Sequence, residues 1–385
     1  ATTQVAPEVL DEMLPYFREY YGNPSSMHTF GGQLHRKVEE ARAKVAHLIG
    51  ADPDEIIFTS CGTESDNTAI MSAVESFPQK KHIITTRVEH PAVLNFCKHL
   101  ARKGYRITFL TVNNNGQLNI DELLKAIDDN TALVTIMYAN NEVGNIFPIS
   151  DIGGLLKERR IVFHTDAVQA AGKIPIDTKK LPVDMLSLSG HKLHATKGIG
   201  VLYVRKGTRF YPYVIGGHQE RGRRAGTENV ASIIGLGKAC EIAAKNITQE
   251  SLSLSHLRDK LERALIDRCP DVRINGDVSS RLPNTTNLSF EYVEGEAILL
   301  RLNEYGVCAS SGSACTSGSL EPSHVLRAMG VPFTAIHGSI RFSLSRYNSE
   351  AEVDRVIEIM PDIISNLRQL SPFGREKLGK SVTCP

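Results

Sequence analysis

The chain has 385 residues, with 44 lysines and arginines against 43 aspartates and glutamates, a net charge of +1. Charges that nearly cancel exclude nucleic acid and a strongly anionic membrane surface as expected partners, and no apolar run approaches the ~20 residues that span a bilayer. The length exceeds one ordinary core and predicts a large α/β domain with a smaller companion.

The opening ATTQVAPEVL lacks the basic-then-apolar pattern of a secretion signal, so a cytoplasmic location is expected. From Leu34 to Ile49 apolar residues recur at helical spacing, and Gly50 offers a stop. Short β-rich runs then alternate with helical stretches: Ile56 to Thr59, His82 to Thr85, Ile107 to Val112, Ala132 to Tyr138, Ile161 to Thr165, Met185 to Leu188 and Gly200 to Val204. This rhythm predicts a mostly parallel seven-stranded sheet flanked by helices. Pro91 followed by AVLNFCKHLARKG predicts a helix with proline in its first turn and Gly104 at its end.

Beyond about Ile247 longer helices take over, Leu252 to Leu265, Glu294 to Glu304 and Glu350 to Leu367, around fewer strands. The expected division is a large domain over 12–248 and a smaller α+β domain formed by 1–11 and 249–385. Within the latter, ASSGSACTSGS (309–319) is too small and polar for a core and is expected to be a mobile loop, while REKLGKSVTCP reads as a frayed tail. Seven cysteines, Cys61, Cys97, Cys240, Cys269, Cys308, Cys315 and Cys384, form no CxxC pair, so free thiols and no metal site are expected.

Ligands of open α/β sheets gather at the carboxyl ends of strands. The strand in VDMLSLSGHK breaks into Ser189, Gly190, His191 and Lys192, and a lysine desolvated there becomes a usable Schiff-base nucleophile, although most lysines are merely solvated. IVFHT ends in Asp166 with Gln169 three residues on; a carboxylate so placed can keep a pyridine nitrogen protonated, or can simply cap a helix. IIFTS runs into Cys61, Gly62 and Thr63 before a helical stretch, which suits phosphate or an ordinary capped turn. His90 follows HIITTRVE, where it could stack on a flat cofactor or cap a turn, and Asn140, Asn141 and Glu142 follow ALVTIMY. Five strands ending in polar groups describe one pocket better than any single motif does.

Nine stretches, YGNPSSMH, FTSCGTESDN, VEHPAV, NNEVG, HTDAVQAAGK, SLSGHKLHATKGIGVLYVR, GGHQERGRRAGTEN, SSGSACTSGSLEPSHVLRAMG and SIRFSLSRYN, resemble the cysteine desulfurases, fold-type-I pyridoxal-phosphate enzymes of the class-V aminotransferase group. They cover almost the whole chain in the family's order. The resemblance implies pyridoxal 5'-phosphate as cofactor, Lys192 as its Schiff-base lysine, Asp166 as partner of the pyridine nitrogen, Gln169 as donor to the ring hydroxyl and His90 as stacking acid/base. It implies Gly62, Thr63, Ser189 and His191 at the phosphate, with Thr227 reaching it from the other subunit of a homodimer, and Asn141 and Arg341 on the substrate carboxylate. Cys315 resembles the nucleophile that takes sulfur from L-cysteine as a persulfide, leaving L-alanine, for an iron–sulfur scaffold or other acceptor protein.

A thiol in a polar loop can ionise and move, whereas Cys308 in YGVCAS reads as part of a buried strand; Cys61, beside the phosphate cup, is the rival. The long serine/glycine loop is similar to the branch serving nitrogenase and housekeeping iron–sulfur assembly, and GGHQERGRRAGTEN most resembles its nitrogen-fixation type. Two departures stand out. Relatives usually carry an Asp-Asn-x-Ala-Thr stretch upstream of ATTQ, so further N-terminal residues are expected, and many have glycine where Cys61 stands. An aminotransferase or selenocysteine lyase of the same fold, or an idle scaffold or sulfur carrier, would share much of the pattern.

Overall fold

The computed structural model describes residues 1–311 and 322–371. Cys315 with most of its loop, and Cys384 with the tail, lie outside the described residues. Helices α1 (Pro7–Met13) and α2 (Pro15–Arg18) each begin on a proline, whose fixed φ suits a first turn. Next comes α3 (Thr29–Ile49), capped by the His28 ring, which accepts the Gly31 N–H at 3.1 Å, and closed by Gly50 at φ 67°.

Strands and helices then alternate: β1 (Ile56–Thr59), α4 (Gly62–Ser76), β2 (His82–Thr86), α5 (Pro91–Arg102), β3 (Arg106–Leu110), α6 (Ile120–Ala126), β4 (Thr131–Thr135), α7 (Ile149–Glu158), β5 (Val162–Asp166), β6 (Met185–Ser189) and β7 (Gly200–Val204). They form one seven-stranded sheet in the order β1-β7-β6-β5-β4-β2-β3. Only β7 is reversed, antiparallel to both β1 and β6, so the other strands send their carboxyl ends to one edge. β1, β2, β4, β6 and β7 are buried along their whole lengths, which is why each reads as a continuous rather than an alternating apolar run.

The remaining elements are α8 (Val230–Arg268), β8 (Val272–Ile274), β9 (Thr285–Phe290), α9 (Gly295–Glu304), β10 (Ser310–Ser311), α10 (His324–Ala328), α11 (Phe333–Ile336), β11 (Ser339–Ser343) and α12 (Glu350–Leu370). Strands β10-β11-β9-β8 make an antiparallel sheet. Its core gathers Leu261 and Leu265 of α8, Phe290 of β9, Ile298 of α9 and Met360 and Ile364 of α12.

The chain divides into two compact units. The first holds Ala1–Leu110, Asn119–Ala139 and Phe147–Thr248; the second holds Thr111–Leu118, Asn140–Ile146 and the described residues from Gln249 onward. Residues 1–11, expected with the smaller domain, belong instead to the first unit. The Thr3 N–H donates to the His191 carbonyl at 3.1 Å and the Ala6 N–H to that of His194 at 3.0 Å. The helix expected over 252–265 is the end of a 39-residue helix. Cys308, expected in a buried strand, is exposed, because the strand there is only Ser310–Ser311. Among the described residues no helix is long and apolar enough to cross a membrane.

Candidate active site

At the edge where β6 ends, Ser189 is buried, and a single 3-10 turn, Gly190–Lys192, carries the chain off the sheet. Lys192 is half-buried there. The neighbouring strand β5 ends on Asp166, only 5% exposed, whose Oδ1 accepts the Val168 N–H at 2.9 Å. That bond holds a turn, since no helix follows Asp166 before β6, so the helix-capping alternative is not realised, and the bond engages one carboxylate oxygen. Burial pushes the Asp166 carboxyl up to about 6, against the opposing pull of the Val168 N–H and the Lys192 ammonium.

His90 caps α5, with Nδ1 accepting the Ala92 N–H at 3.2 Å, which leaves the proton of the neutral ring on Nε2. Burial and then the Lys192 charge depress its pKa to about 4. One ammonium thus acts on both Asp166 and His90, and the structure brings these three residues together. Gln169 is half-buried in the turn after β5. His191 is held at about 4 by burial and Lys192, and its Nδ1 lies 2.9 Å from the Thr2 hydroxyl.

The turn between β1 and α4 packs against the same strand ends. A Cβ on Gly62 would stand 2.9 Å from Val168 Cγ2 and 3.4 Å from Ser189 Cβ, and one on Gly200 would stand 2.5 Å from the Cys61 carbonyl carbon. Cys61 is the N-cap, its Sγ accepting the Glu64 N–H at 3.5 Å, and Thr63 is exposed in the first turn. Glu64 accepts the Ser60 N–H at 2.9 Å and pairs with Arg224 at 2.8 Å. Thr227, three residues beyond Arg224, is exposed. Its segment is anchored by Glu220, which takes two bonds from Arg42 at 2.7 and 2.9 Å and the Phe58 N–H at 2.9 Å.

Two buried carboxyls beside this cluster are not evident in the sequence. Asp66 is fully buried on α4, raised by burial and then by Asp166, with Oδ1 3.7 Å from His164 Nε2. Its spacing to Ala69, Ile70 and Ala73 is the available signal, placing it on the buried face. Glu89 accepts the Met137 N–H on both oxygens, at 3.0 and 3.1 Å, and the Thr86 hydroxyl at 2.8 Å.

Burial raises Glu89 from 4.5 to about 8. The folded protein holds a proton that the unfolded chain releases, so the associated stability is fully present below pH 4.5 and is lost as pH rises through 8. Between pH 5 and 8 the wild type should lose stability relative to Glu89→Gln by up to about 1.4 kcal/mol per pH unit. Urea midpoints of the two proteins across that range test this; parallel curves would refute it.

In the second unit, Arg341 of β11 is buried and donates from Nη1 to the Asn141 carbonyl at 2.7 Å. Asn140 Oδ1 accepts the N–H groups of Glu142 and Val143 at 2.9 and 3.0 Å, which shapes the turn bearing Asn141. Glu142, raised to about 7 by burial, accepts the Ser323 hydroxyl at 2.5 Å. The two residues expected at the substrate carboxylate are therefore neighbours, while Cys315 lies outside the described residues.

The residues fit pyridoxal phosphate: a buried carboxyl at a strand end, a lysine on the next strand's end, a flat neutral ring, and a helix N-terminus crowded against Ser189. Residues 1–356 match the family model for class-V aminotransferases. The chain is 63% identical over 379 residues to a cysteine desulfurase of Trichormus azollae, covering 98% of this chain and 95% of that protein. It is 56% identical over 374 residues to the cysteine desulfurase NifS of Azotobacter vinelandii, covering 97% and 93%. A solved NifS-like protein superposes with a TM-score of 0.90 at 41% identity over 95% of this chain and 98% of that one, and a NifS-like protein from Rickettsia africae does so with 0.85 at 33% over 94% and 97%. By that family match, those relatives and that shared fold, the chain belongs to the class-V aminotransferase family, among its NifS-like cysteine desulfurases.

Proposed function

We propose that the protein is a pyridoxal-5'-phosphate-dependent cysteine desulfurase that converts L-cysteine to L-alanine and takes the sulfur onto Cys315 as a persulfide. The observation that carries this is the placement of Lys192, buried Asp166 and the α5-capping His90 at the carboxyl ends of β6, β5 and β2, along one sheet edge. When bound, the cofactor supplies an electron sink for a carbanion at the substrate Cα.

Lys192 Nζ would hold the cofactor aldehyde, and the same amine is the base for the substrate Cα proton. Asp166 would face the pyridine nitrogen and keep it protonated, and Gln169 would donate to the ring hydroxyl. Gly62, Thr63, Ser189 and His191 would hold the phosphate, with Thr227 of the partner subunit completing the cup in a homodimer. His90 would stack on the ring, and its Nε2 is free to move protons. Asn141 and Arg341 hold the substrate carboxylate, for which a planar guanidinium fork is suited.

The Cys315 thiolate attacks the substrate sulfur; an S–S bond forms, the C–S bond breaks, and its electron pair and a proton finish as alanine. An unperturbed thiol of pKa ~8.5 is only slightly ionised at neutral pH, so the attack needs a base or a polar setting. The likeness to the Azotobacter vinelandii NifS supports a nitrogen-fixation type serving an iron–sulfur scaffold.

Mass spectrometry of the holoprotein after addition of cysteine tests the reading. Cys315 should gain one sulfur, whereas sulfur on Cys61 or Cys308 alone would reassign the nucleophile. For Asp166→Asn, folded protein with kcat lowered about 10²–10⁴-fold is expected, the range for losing one positioned proton-handling group. Normal turnover with an unchanged circular dichroism spectrum would remove Asp166 from the mechanism.

A further inference from the structure

The first unit holds a second concavity at the opposite edge of its sheet. It measures about 380 Å³ and includes Val162 and Phe163 at the start of β5, Asp184 just before β6, and Arg205 just after β7. Because β7 runs against β6, and β6 lies parallel to β5, these positions all face away from Asp166 and Ser189. The lining carries Lys157, Arg160, Lys179, Lys180, Arg205 and Arg209 against one carboxylate, Asp184. Such an excess is local, since the whole chain has a net charge of +1.

Half of these cations are already committed. Lys179 meets Asp52 at 3.3 Å and Lys180 meets Asp177 at 3.2 Å. Arg205 donates to the carbonyls of Val183, Thr178 and Leu181 at 2.8, 2.7 and 2.7 Å. Asp184 accepts the Phe163 N–H at 2.8 Å. Lys157, Arg160 and Arg209 make no ion pair among the described residues, and Arg209 lies over the Phe77 ring at 5.7 Å.

Arg160 is the telling member. It follows Arg159, the C-cap of α7, and stands at φ 55°, a left-handed position where glycine is the unstrained choice. The helix dipole favours cations at this end, but Lys157 and Arg159 already serve it.

We propose that this cavity binds a small anion with two linked phosphates, either inorganic pyrophosphate or a nucleoside diphosphate. Arg160 and Arg209 supply planar forks for phosphate oxygens, and Lys157 adds a point charge. A volume of about 380 Å³ suits a small-molecule ligand. Phe77, which carries Arg209 at 5.7 Å and Lys80 at 5.9 Å from its centroid, is the lining ring against which a base would pack once those side chains turn to the phosphates.

Isothermal calorimetry on the cofactor-loaded protein, with pyrophosphate and ADP in separate titrations, tests the assignment. Saturable binding at one site per chain is expected, with cofactor absorbance unchanged. Arg160→Gly should weaken binding at least about tenfold, the effect of removing one charge-assisted hydrogen bond, while the melting temperature stays the same or rises because glycine relieves the backbone. Tighter ADP binding that Phe77→Leu weakens identifies a nucleotide; equal affinities insensitive to Phe77→Leu identify the inorganic anion. No saturable heat from either probe, or unchanged affinity in Arg160→Gly, overturns the proposal.

Discussion

Lys192→Ala protein is expected to fold, to bind pyridoxal phosphate without a covalent link, and to release sulfide from cysteine at least about 10⁴-fold more slowly than the wild type. Loss of a positioned general base costs about 10²–10⁴-fold, and loss of a group acting in a catalytic unit costs more. Lys192 has both duties, so the upper part of that range is the floor. Its removal also withdraws the charge that lowers the pKa values of both His90 and Asp166. Borohydride followed by peptide mapping supplies a readout independent of turnover: the wild type should retain cofactor on the peptide bearing position 192, and the variant should retain none. Trapped cofactor in the variant would move the anchor to another lysine.

Cys315→Ala separates sulfur transfer from the earlier proton chemistry. Sulfide release from cysteine in the presence of a reducing thiol should fall at least about 10³-fold, because no other group replaces an activated nucleophile held in place. Exchange of the substrate Cα proton for deuterium should continue, since Lys192, Asp166 and the substrate clamp are intact. Continued exchange without sulfide release is the signature of the proposed division of labour. If sulfide release is unchanged, an aminotransferase or lyase using the same lysine and aspartate is the better reading, and Cys61→Ala then becomes the decisive comparison.

The first unit is legible in the sequence because its strands lie inside the sheet. Gly200 to Val204 has the bounds its apolar run predicts, and the run expected to reach Tyr138 continues beyond β4 as extended chain, with the Ile136 and Tyr138 N–H groups donating to His164 and Asp166 at 3.2 and 2.8 Å. The first half of α8 is not legible. Its Gly235 and Gly237 lower helix propensity, and a Cβ on Gly235 would meet Met13 Sδ at 2.4 Å and one on Gly237 would meet Ala41 Cα at 2.7 Å. They are glycines because other helices approach closely there, and spacing along one segment carries no trace of that.

The candidate site divides in the same way. Asp166 ends a strand, and Gly62, Lys192 and His90 come within three or four residues of one, so position along the chain is enough to find them. Asp66 and Glu89 act from burial, and a carboxyl's burial is a property of its neighbours in space. Cys308 departs from expectation for the complementary reason: the alternation in YGVCAS resembles a strand, but Ser310–Ser311 is all that pairs.

The two glycines flanking the β1–α4 turn have a consequence for assembly with the cofactor. Val168 and Ser189 close on Gly62, and Gly200 closes on Cys61, so the turn has no room to rearrange. A receptor already in its binding shape spends little free energy on ordering when its ligand arrives. Cofactor-free protein should therefore keep its secondary structure and regain full occupancy on simple mixing, without a slow refolding phase.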